Sequence, residues 1–156
     1  MTAFIEPSAS RKPVAAAHSN RTGPNLMLGK YFANTLYVQI RKNAFRLRHI
    51  ESKTDKDIAA PRPFTTARLL VGQFQEAESL LRKAMGGIGN GGPFRVSPVI
   101  VIHPLEMVEG GLSEVEERAY RELAMGAGAR KAFVHVGAPL ADSEVASVTQ
   151  LKYKVA

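Results

Sequence analysis

The feature that most constrains the fold is a stretch in the last third of the chain, SEVEERAYRELAMGAGAR, over residues 113–130. Ser113, followed three residues later by Glu116, predicts a capping box at a helix N-terminus. The Gly-Ala-Gly near its end predicts the helix C-terminus, because glycine readily adopts the left-handed conformation that closes helices. The apolar run over 130–136 that follows predicts a strand. The chain must therefore fold with a helix packed on a sheet.

The same helix carries a narrow apolar face and a charged one. Val115, Ala119 and Leu123 recur every fourth residue, which predicts that they line the face packed on the sheet. Two acid–base pairs of i,i+4 spacing, with the acid N-terminal, are expected on the helix: Glu114–Arg118 and Glu117–Arg121.

The first half of the chain favours an antiparallel meander. Apolar and polar residues predict strands over 25–31, 35–41 and 44–50, with a tight turn at Lys42–Asn43 between the last two. Along the third strand, Arg46 and Arg48 are expected on the face opposite to the apolar side chains. Residues 51–60 are polar and predict a loop.

The second half favours a βαβ unit. A helix is predicted over 73–85, and a strand over 94–102 that ends at a His-Pro dipeptide. The VIVI in this strand lacks alternation, which is typical of a central parallel strand buried on both faces. The predicted order is thus βββ-α-β-α-β, an α/β fold with a mixed sheet and a right-handed crossover.

The chain has three predicted regions. Residues 1–24 are Ala-, Ser- and Pro-rich and predict a disordered basic tail, residues 25–141 a single folded unit, and residues 142–156 a weakly structured segment with a short helix over 142–148. The chain contains no cysteine, which excludes disulfides and thiolate metal sites. It also contains no apolar run long enough to span a bilayer and no secretory signal pattern.

The net charge of +7 is concentrated at the start of the chain. Residues 1–50 hold eight Lys or Arg against one Glu, whereas the remainder is balanced. A basic surface of this kind suits a nucleic acid, an anionic membrane or an acidic protein, and its simpler interpretation is a solvated tail and sheet face. The residues that would form it on the meander are Arg41, Lys42, Arg46 and Arg48.

Three patches in one order resemble a known family. ERAYRELAMGAGARKAFV is similar to the segment before the last strand of the first domain in bacterial actin-like rod-shape proteins, the MreB family. LGKYFANTLYVQI resembles that family's phosphate-binding opening, and DIAAPRPFTTARLLVGQFQEAESLLRKAM its first-helix region. The resemblance covers about residues 25–141. It implies an actin-like, ribonuclease-H-like subdomain and a cytoplasmic role in bacterial cell shape and the cytoskeleton.

The departures from the family pattern imply loss of catalysis. Met27 stands where the family has the acid that anchors magnesium, and Mg²⁺ prefers oxygen ligands to a thioether. Ala138 stands where a second acid would orient the attacking water. Residual contact with ATP and magnesium would fall on Gly29, Asn34 and Thr35; the alternative is that Asn34 and Thr35 only turn the chain and begin a strand.

Other chemistry finds little support. The four histidines lack metal-ligand spacing, and His103 at a strand end is expected to bond to backbone rather than act as a base. The glycine-rich GGIGNGG follows a helix and lacks the ending of a phosphate loop, so a connector is expected.

The sequence therefore predicts a protein with no catalytic residues and no metal site. It is expected to bind a cytoskeletal filament or a second copy of itself, in the cytoplasm or peripherally at the inner membrane; an equal alternative is a decayed remnant with no present role. The alternative is an electrostatic binding module for nucleic acid or anionic membrane, built on the basic N-terminal third. A residual nucleotide-binding protein that dimerises to rebuild a cleft is a third hypothesis.

Overall fold

The computed structural model describes residues 34–89 and 96–151. The predicted tail over 1–24 and the predicted strand over 25–31 lie outside these residues. The described part has five strands and three helices. It is an α/β fold, which is the fold class that the sequence predicted. The elements in chain order are β1 Thr35–Arg41, β2 Ala44–His49, β3 Thr54–Ala59, α1 Phe74–Gly86, β4 Val99–Pro104, α2 Glu114–Ala127, β5 Lys131–Val134 and α3 Asp142–Leu151.

The strands form one mixed sheet in the order β3-β2-β1-β4-β5. β1 pairs antiparallel with β2 and parallel with β4, so the meander joins the βαβ unit along β1. β4 lies between β1 and β5, parallel to both, and all six of its residues are buried. The interpretation of VIVI as a central parallel strand is confirmed.

The main core lies between one face of the sheet and the first two helices. Every fourth or third residue of α1 is buried there, including Ala77, Leu81 and Ala84. Alternate sheet residues such as Val38, Ile40, Leu47 and Ile102 complete this layer. Burial of apolar area of this kind is the main favourable term in folding. The opposite sheet face carries a smaller cluster under α3, described below with the site.

The predicted loop over 51–60 is wrong, because residues 54–59 form the edge strand β3. The sequence TDKDIA does not predict a strand, because it lacks apolar alternation. Its residues are exposed or half-buried. β3 pairs with β2 from Ala44↔Ala59 to His49↔Thr54. The short turn between these two strands sets the register, because β3 has no apolar pattern to do so. Charged residues on an edge strand also disfavour pairing with another chain.

The capping box predicted for α2 is present. Ser113 Oγ accepts from the Glu116 backbone N–H, and the Glu116 carboxylate accepts from the Ser113 N–H. The Ser113 N–H and hydroxyl, which both donate to the Glu116 carboxylate, hold its pKa below the usual value. The helix passes through Gly126 and ends where Gly128 adopts a left-handed conformation with φ of 117°.

The apolar face predicted for α2 is partly wrong. Leu123 is buried as expected, but Val115 is 77% exposed. The buried residues are Tyr120, Leu123, Ala124 and Ala127, a stripe that follows i, i+3, i+4 and i+7 spacing. Glu117 pairs with Arg121 as predicted, whereas Arg118 pairs with Glu122 rather than with Glu114.

Asn43 organises the turn between β1 and β2 and the long segment that follows the meander. It adopts a left-handed conformation with φ of 55°, which asparagine tolerates better than most residues. Its Oδ1 accepts from the backbone N–H groups of Phe64 (2.9 Å) and Thr65 (2.8 Å), and its carbonyl accepts from Ala60 N–H (2.8 Å). The segment is thereby held so that Phe64 stacks on Phe45 in the core.

Candidate polar site

A polar centre lies on the second face of the sheet, towards the carboxyl ends of β1 and β4. Tyr37 Oη is 2.6 Å from His103 Nδ1, and His103 Nε2 is 3.0 Å from the Gly137 carbonyl oxygen. A carbonyl can only accept, so in the neutral ring Nε2 carries the proton and Nδ1 accepts from the tyrosine hydroxyl. His103 is only 1% exposed, and the expectation that it bonds to backbone is confirmed.

The tyrosine hydroxyl also connects the sheet to the chain that leads into α3. Leu140 N–H donates to Tyr37 Oη over 3.1 Å. Arg48 from β2 donates through its terminal nitrogen to the Leu140 carbonyl (2.6 Å), and its guanidinium lies over the Tyr37 ring, 5.1 Å from the centroid. Arg48 Nε is 3.0 Å from Asp142 Oδ1, close enough for an ion pair, although Nε itself makes no hydrogen bond.

A second histidine, His135, lies next to the polar centre. The His135 ring packs edge-on against His103 with centroids 4.8 Å apart, and its Nε2 donates to the Ala138 carbonyl over 2.9 Å. Burial lowers the pKa of His103 from its ordinary value of 6.5, outweighing the Gly137 hydrogen bond, and neighbouring His135 lowers it further. The centre therefore holds neutral His103.

Two of the three predicted nucleotide residues lie elsewhere, at the opposite end of β1, and Gly29 lies outside the described residues. Asn34 donates to the Val96 carbonyl (2.6 Å) and lies 3.1 Å from His49 Nε2, while Thr35 N–H donates to Glu51 (2.9 Å). Asn34 also lines a shallow groove of about 210 Å³ between the C-terminal ends of α1 and α2. The Asn34 side chain and the Thr35 backbone N–H are thus engaged within the chain.

The predicted basic surface is largely paired with acids. Arg46 and Arg48 do point away from the buried Phe45 and Leu47, as the alternation indicated. However, three of the four cations form ion pairs: Lys42–Glu106 at 3.7 Å, Arg46–Asp55 at 3.2 Å and Arg48–Asp142 at 3.0 Å. Within residues 34–89 and 96–151, Arg41 alone of the four makes no ion pair.

Sequence reasoning missed most of the polar centre because its members are far apart in the chain. Tyr37, His103 and Leu140 come together only through the β1–β4 pairing and the return of the chain after β5. The one available signal was alternation, which places Tyr37 opposite to Leu36 and Val38. No group of three or more His, Asp or Glu residues suited to a metal ion occurs in the described parts of the chain. In the same residues, no helix has the length and apolar character needed to cross a bilayer.

Comparison with known proteins identifies a relative of this chain. A scan against models of protein families finds no match. The chain is 34% identical to a protein of Escherichia coli strain K12, described as "Uncharacterized protein YjaA", over 128 residues that cover 76% of this chain and 99% of the relative. Identity at this level over nearly the whole relative shows common descent, and the chain belongs to the same protein family as YjaA of Escherichia coli.

Proposed function

We propose that this chain is an actin-like protein of the rod-shape-determining type that acts by binding another protein rather than by hydrolysing ATP. The observation that carries the proposal is the order β3-β2-β1-β4-β5, with a meander at one side, a βαβ unit at the other and the first two helices on one face. A meander followed by a βαβ unit is the layout of a half-domain in the actin superfamily, and it supports the resemblance carried by α2 and its flanks.

The described meander begins with β1, Thr35–Arg41, and its first turn is at Lys42–Asn43. Most of the phosphate-binding opening implied by the resemblance lies outside the described residues. On β1, the side chains that reach the polar centre are Tyr37 and Gln39, with Gln39 in register with His103. Neither is an acid, which supports a site without magnesium chemistry.

The end of β5 supports the same conclusion. Ala138 replaces the acid that the family resemblance implies there, and its carbonyl accepts from His135. An alanine offers no side-chain group to orient water.

The outer face of α2 is the best candidate for the binding surface. This helix carries the strongest resemblance to the family, and two of its apolar side chains remain in solvent: Val115 is 77% exposed and Met125 47% exposed. Two intrahelical ion pairs lie between them along the helix. Protein-binding surfaces typically combine apolar side chains with a polar rim. The expected partner is a filament of an actin-like protein in the cytoplasm, at or near the inner membrane.

Filament co-sedimentation tests this binding role. The purified chain should pellet saturably with polymerised filaments of an actin-like rod-shape protein, and Val115→Asp should weaken the affinity by at least tenfold. Asp in the first turn of a helix is favourable, so this variant should remain folded. The matched control is Leu151→Asp, which alters an exposed leucine (67%) on α3, on the opposite side of the sheet. Absence of pelleting, or equal loss in both variants, would refute the role.

Calorimetric titration with Mg·ATP tests the second half of the proposal. We expect no saturable heat up to millimolar nucleotide. Magnesium-dependent binding would contradict the proposal and would favour a nucleotide site completed by a second copy.

Salt dependence separates the proposal from charge-driven binding to nucleic acid or anionic membrane. Binding to phosphates weakens steeply with ionic strength, whereas apolar docking does not. The ion pairs at Lys42, Arg46 and Arg48 favour protein docking, because those charges are already compensated within the chain.

A further inference from the structure

The last helix is attached to the sheet by a small apolar contact. α3 has ten residues, and Val145 is the one among them that is fully buried. Val145 packs in the second cluster with Tyr37, Val99, Val101 and Phe133, and half-buried Leu140 and Val148 border it. Since a single buried valine contributes only about 1.5–3 kcal/mol, the attachment depends strongly on its polar contacts.

Those polar contacts come from two side chains of the sheet, Tyr37 and Arg48. The Tyr37 hydroxyl receives the Leu140 N–H, two residues before α3 begins, and Arg48 holds both the Leu140 carbonyl and the Asp142 carboxylate. Tyr37 and Arg48 thereby fix the start of α3 from the sheet side. The hydroxyl proton goes to His103 Nδ1, at 2.6 Å.

Protonation of His103 would upset this arrangement. His103 Nε2 already donates to Gly137, so a second proton must reside on Nδ1 and turn it from an acceptor into a donor. Three donors would then face the tyrosine oxygen, namely His103 Nδ1, Leu140 N–H and the Gln39 amide at 3.5 Å. A hydroxyl oxygen has two acceptor positions, and its own proton would lose its acceptor.

The charges around His103 add to this effect. The Arg48 guanidinium, from β2, lies over the Tyr37 ring. The ring of His135, which follows β5, makes an edge contact with the His103 ring. From α3, Asp142 is already paired with Arg48, and the Glu144 carboxylate accepts from Ala141 N–H. Among the described residues no carboxylate stabilises charge on the imidazole. A proton on closed His103 would therefore be uncompensated, which favours opening.

We propose that protonation of His103 releases α3 from the sheet, which makes the Tyr37–His103–Leu140 contact a pH-sensitive latch. Acidification breaks the Leu140 contact first, because Tyr37 and His103 are buried in strands of the sheet whereas Leu140 is half-buried and lies outside it. Opening uncovers the apolar face formed by Val99, Val101 and Phe133 while the main core under α1 and α2 stays intact. This inference does not depend on the proposed function.

Thiol labelling tests the latch, because the natural chain contains no cysteine. Val145→Cys places a single thiol beneath α3, and Gln150→Cys places one on its exposed side as the control for intrinsic thiol reactivity. The ratio of their labelling rates should rise about tenfold between pH 7.5 and pH 5.5, the factor expected when a histidine of ordinary pKa takes up its proton only in the open form.

Two further variants make the result specific. In His103→Gln, the amide can donate to Gly137 and accept from Tyr37 but cannot titrate, so the ratio should be independent of pH. In Tyr37→Phe, the shared oxygen is lost, so Val145→Cys should be labelled rapidly at both pH values. Amide exchange at Leu81 and Ile100 should remain slow throughout, since both belong to the main core.

Three results would overturn the latch. The first is a ratio that does not change with pH in the natural background. The second is an equal rise in His103→Gln, which would assign the effect to another group. The third is parallel loss of protection at Leu81 and Ile100, which would indicate global unfolding instead of release of α3.

Discussion

Replacement of Asn43 should reveal how much one turn residue contributes to the whole fold. Its side chain accepts two backbone N–H groups, from Phe64 at 2.9 Å and Thr65 at 2.8 Å, and its backbone is left-handed. Asn43→Ala removes the acceptor and places a Cβ-bearing residue without a local hydrogen bond in that conformation. Asn43→Gly removes the acceptor but accepts the conformation freely.

The magnitudes follow from these two losses. Each orphaned N–H costs about 1 kcal/mol where water can replace the acceptor, and up to about 3 kcal/mol where it cannot. The left-handed conformation costs alanine about 1–2 kcal/mol. Both N–H groups lie in a part-buried turn, so the lower figure applies to each. Asn43→Ala should therefore lower the free energy of unfolding by about 3–4 kcal/mol. Asn43→Gly should be about 0.5–1 kcal/mol less destabilising than Asn43→Ala. Glycine avoids the cost of the left-handed conformation, but its greater conformational freedom in the unfolded chain offsets part of that gain.

Urea unfolding followed by circular dichroism measures both values. The slope of the free energy against urea should be the same in all variants, which indicates that the unfolded states are comparable. Lys42→Ala is the matched control at the neighbouring turn position, where an exposed ion pair 3.7 Å long should contribute less than about 1 kcal/mol. A loss below 1 kcal/mol in Asn43→Ala, or a larger loss in Asn43→Gly than in Asn43→Ala, would refute the reasoning.

Three further predictions concern the polar centre and α2. Tyr37→Phe should lower the free energy of unfolding by about 2–4 kcal/mol, since it leaves His103 Nδ1 and Leu140 N–H without their partner, and urea unfolding at pH 7.5 measures this. Because burial lowers the pKa of His103, the unfolded chain takes up the proton first, so stability should fall as pH drops below 6.5. His103→Gln should show a smaller fall over the same range, and an identical fall would exclude His103 as its source. Leu123→Ala should cost about 2–5 kcal/mol by thermal or urea unfolding, whereas Val115→Ala should change stability by less than about 0.5 kcal/mol. Equal costs would mean that α2 packs through the apolar face that its four-residue spacing predicted.

The contrast between the two halves of the chain shows where sequence reasoning succeeds. The helix α2, its capping box and the strand VIVI were predictable because their signals are local. Ser113 and Glu116 are three residues apart, and a run of four β-branched residues indicates burial without knowledge of what covers it. β3 was not predictable in this way, since its charged residues extend only because β2 offers a paired edge.

The sequence by itself determined the secondary structure of the βαβ unit, the α/β class and the alternation that separates Arg46 and Arg48 from the core. Only the tertiary structure decided that three of the four meander cations are paired, and that Tyr37, His103 and Leu140 form one hydrogen-bonded centre. The physical reason is distance along the chain. Tyr37 and Leu140 are separated by 103 positions, so no local periodicity relates them, and the contact arises only when parallel pairing of β1, β4 and β5 brings their ends together.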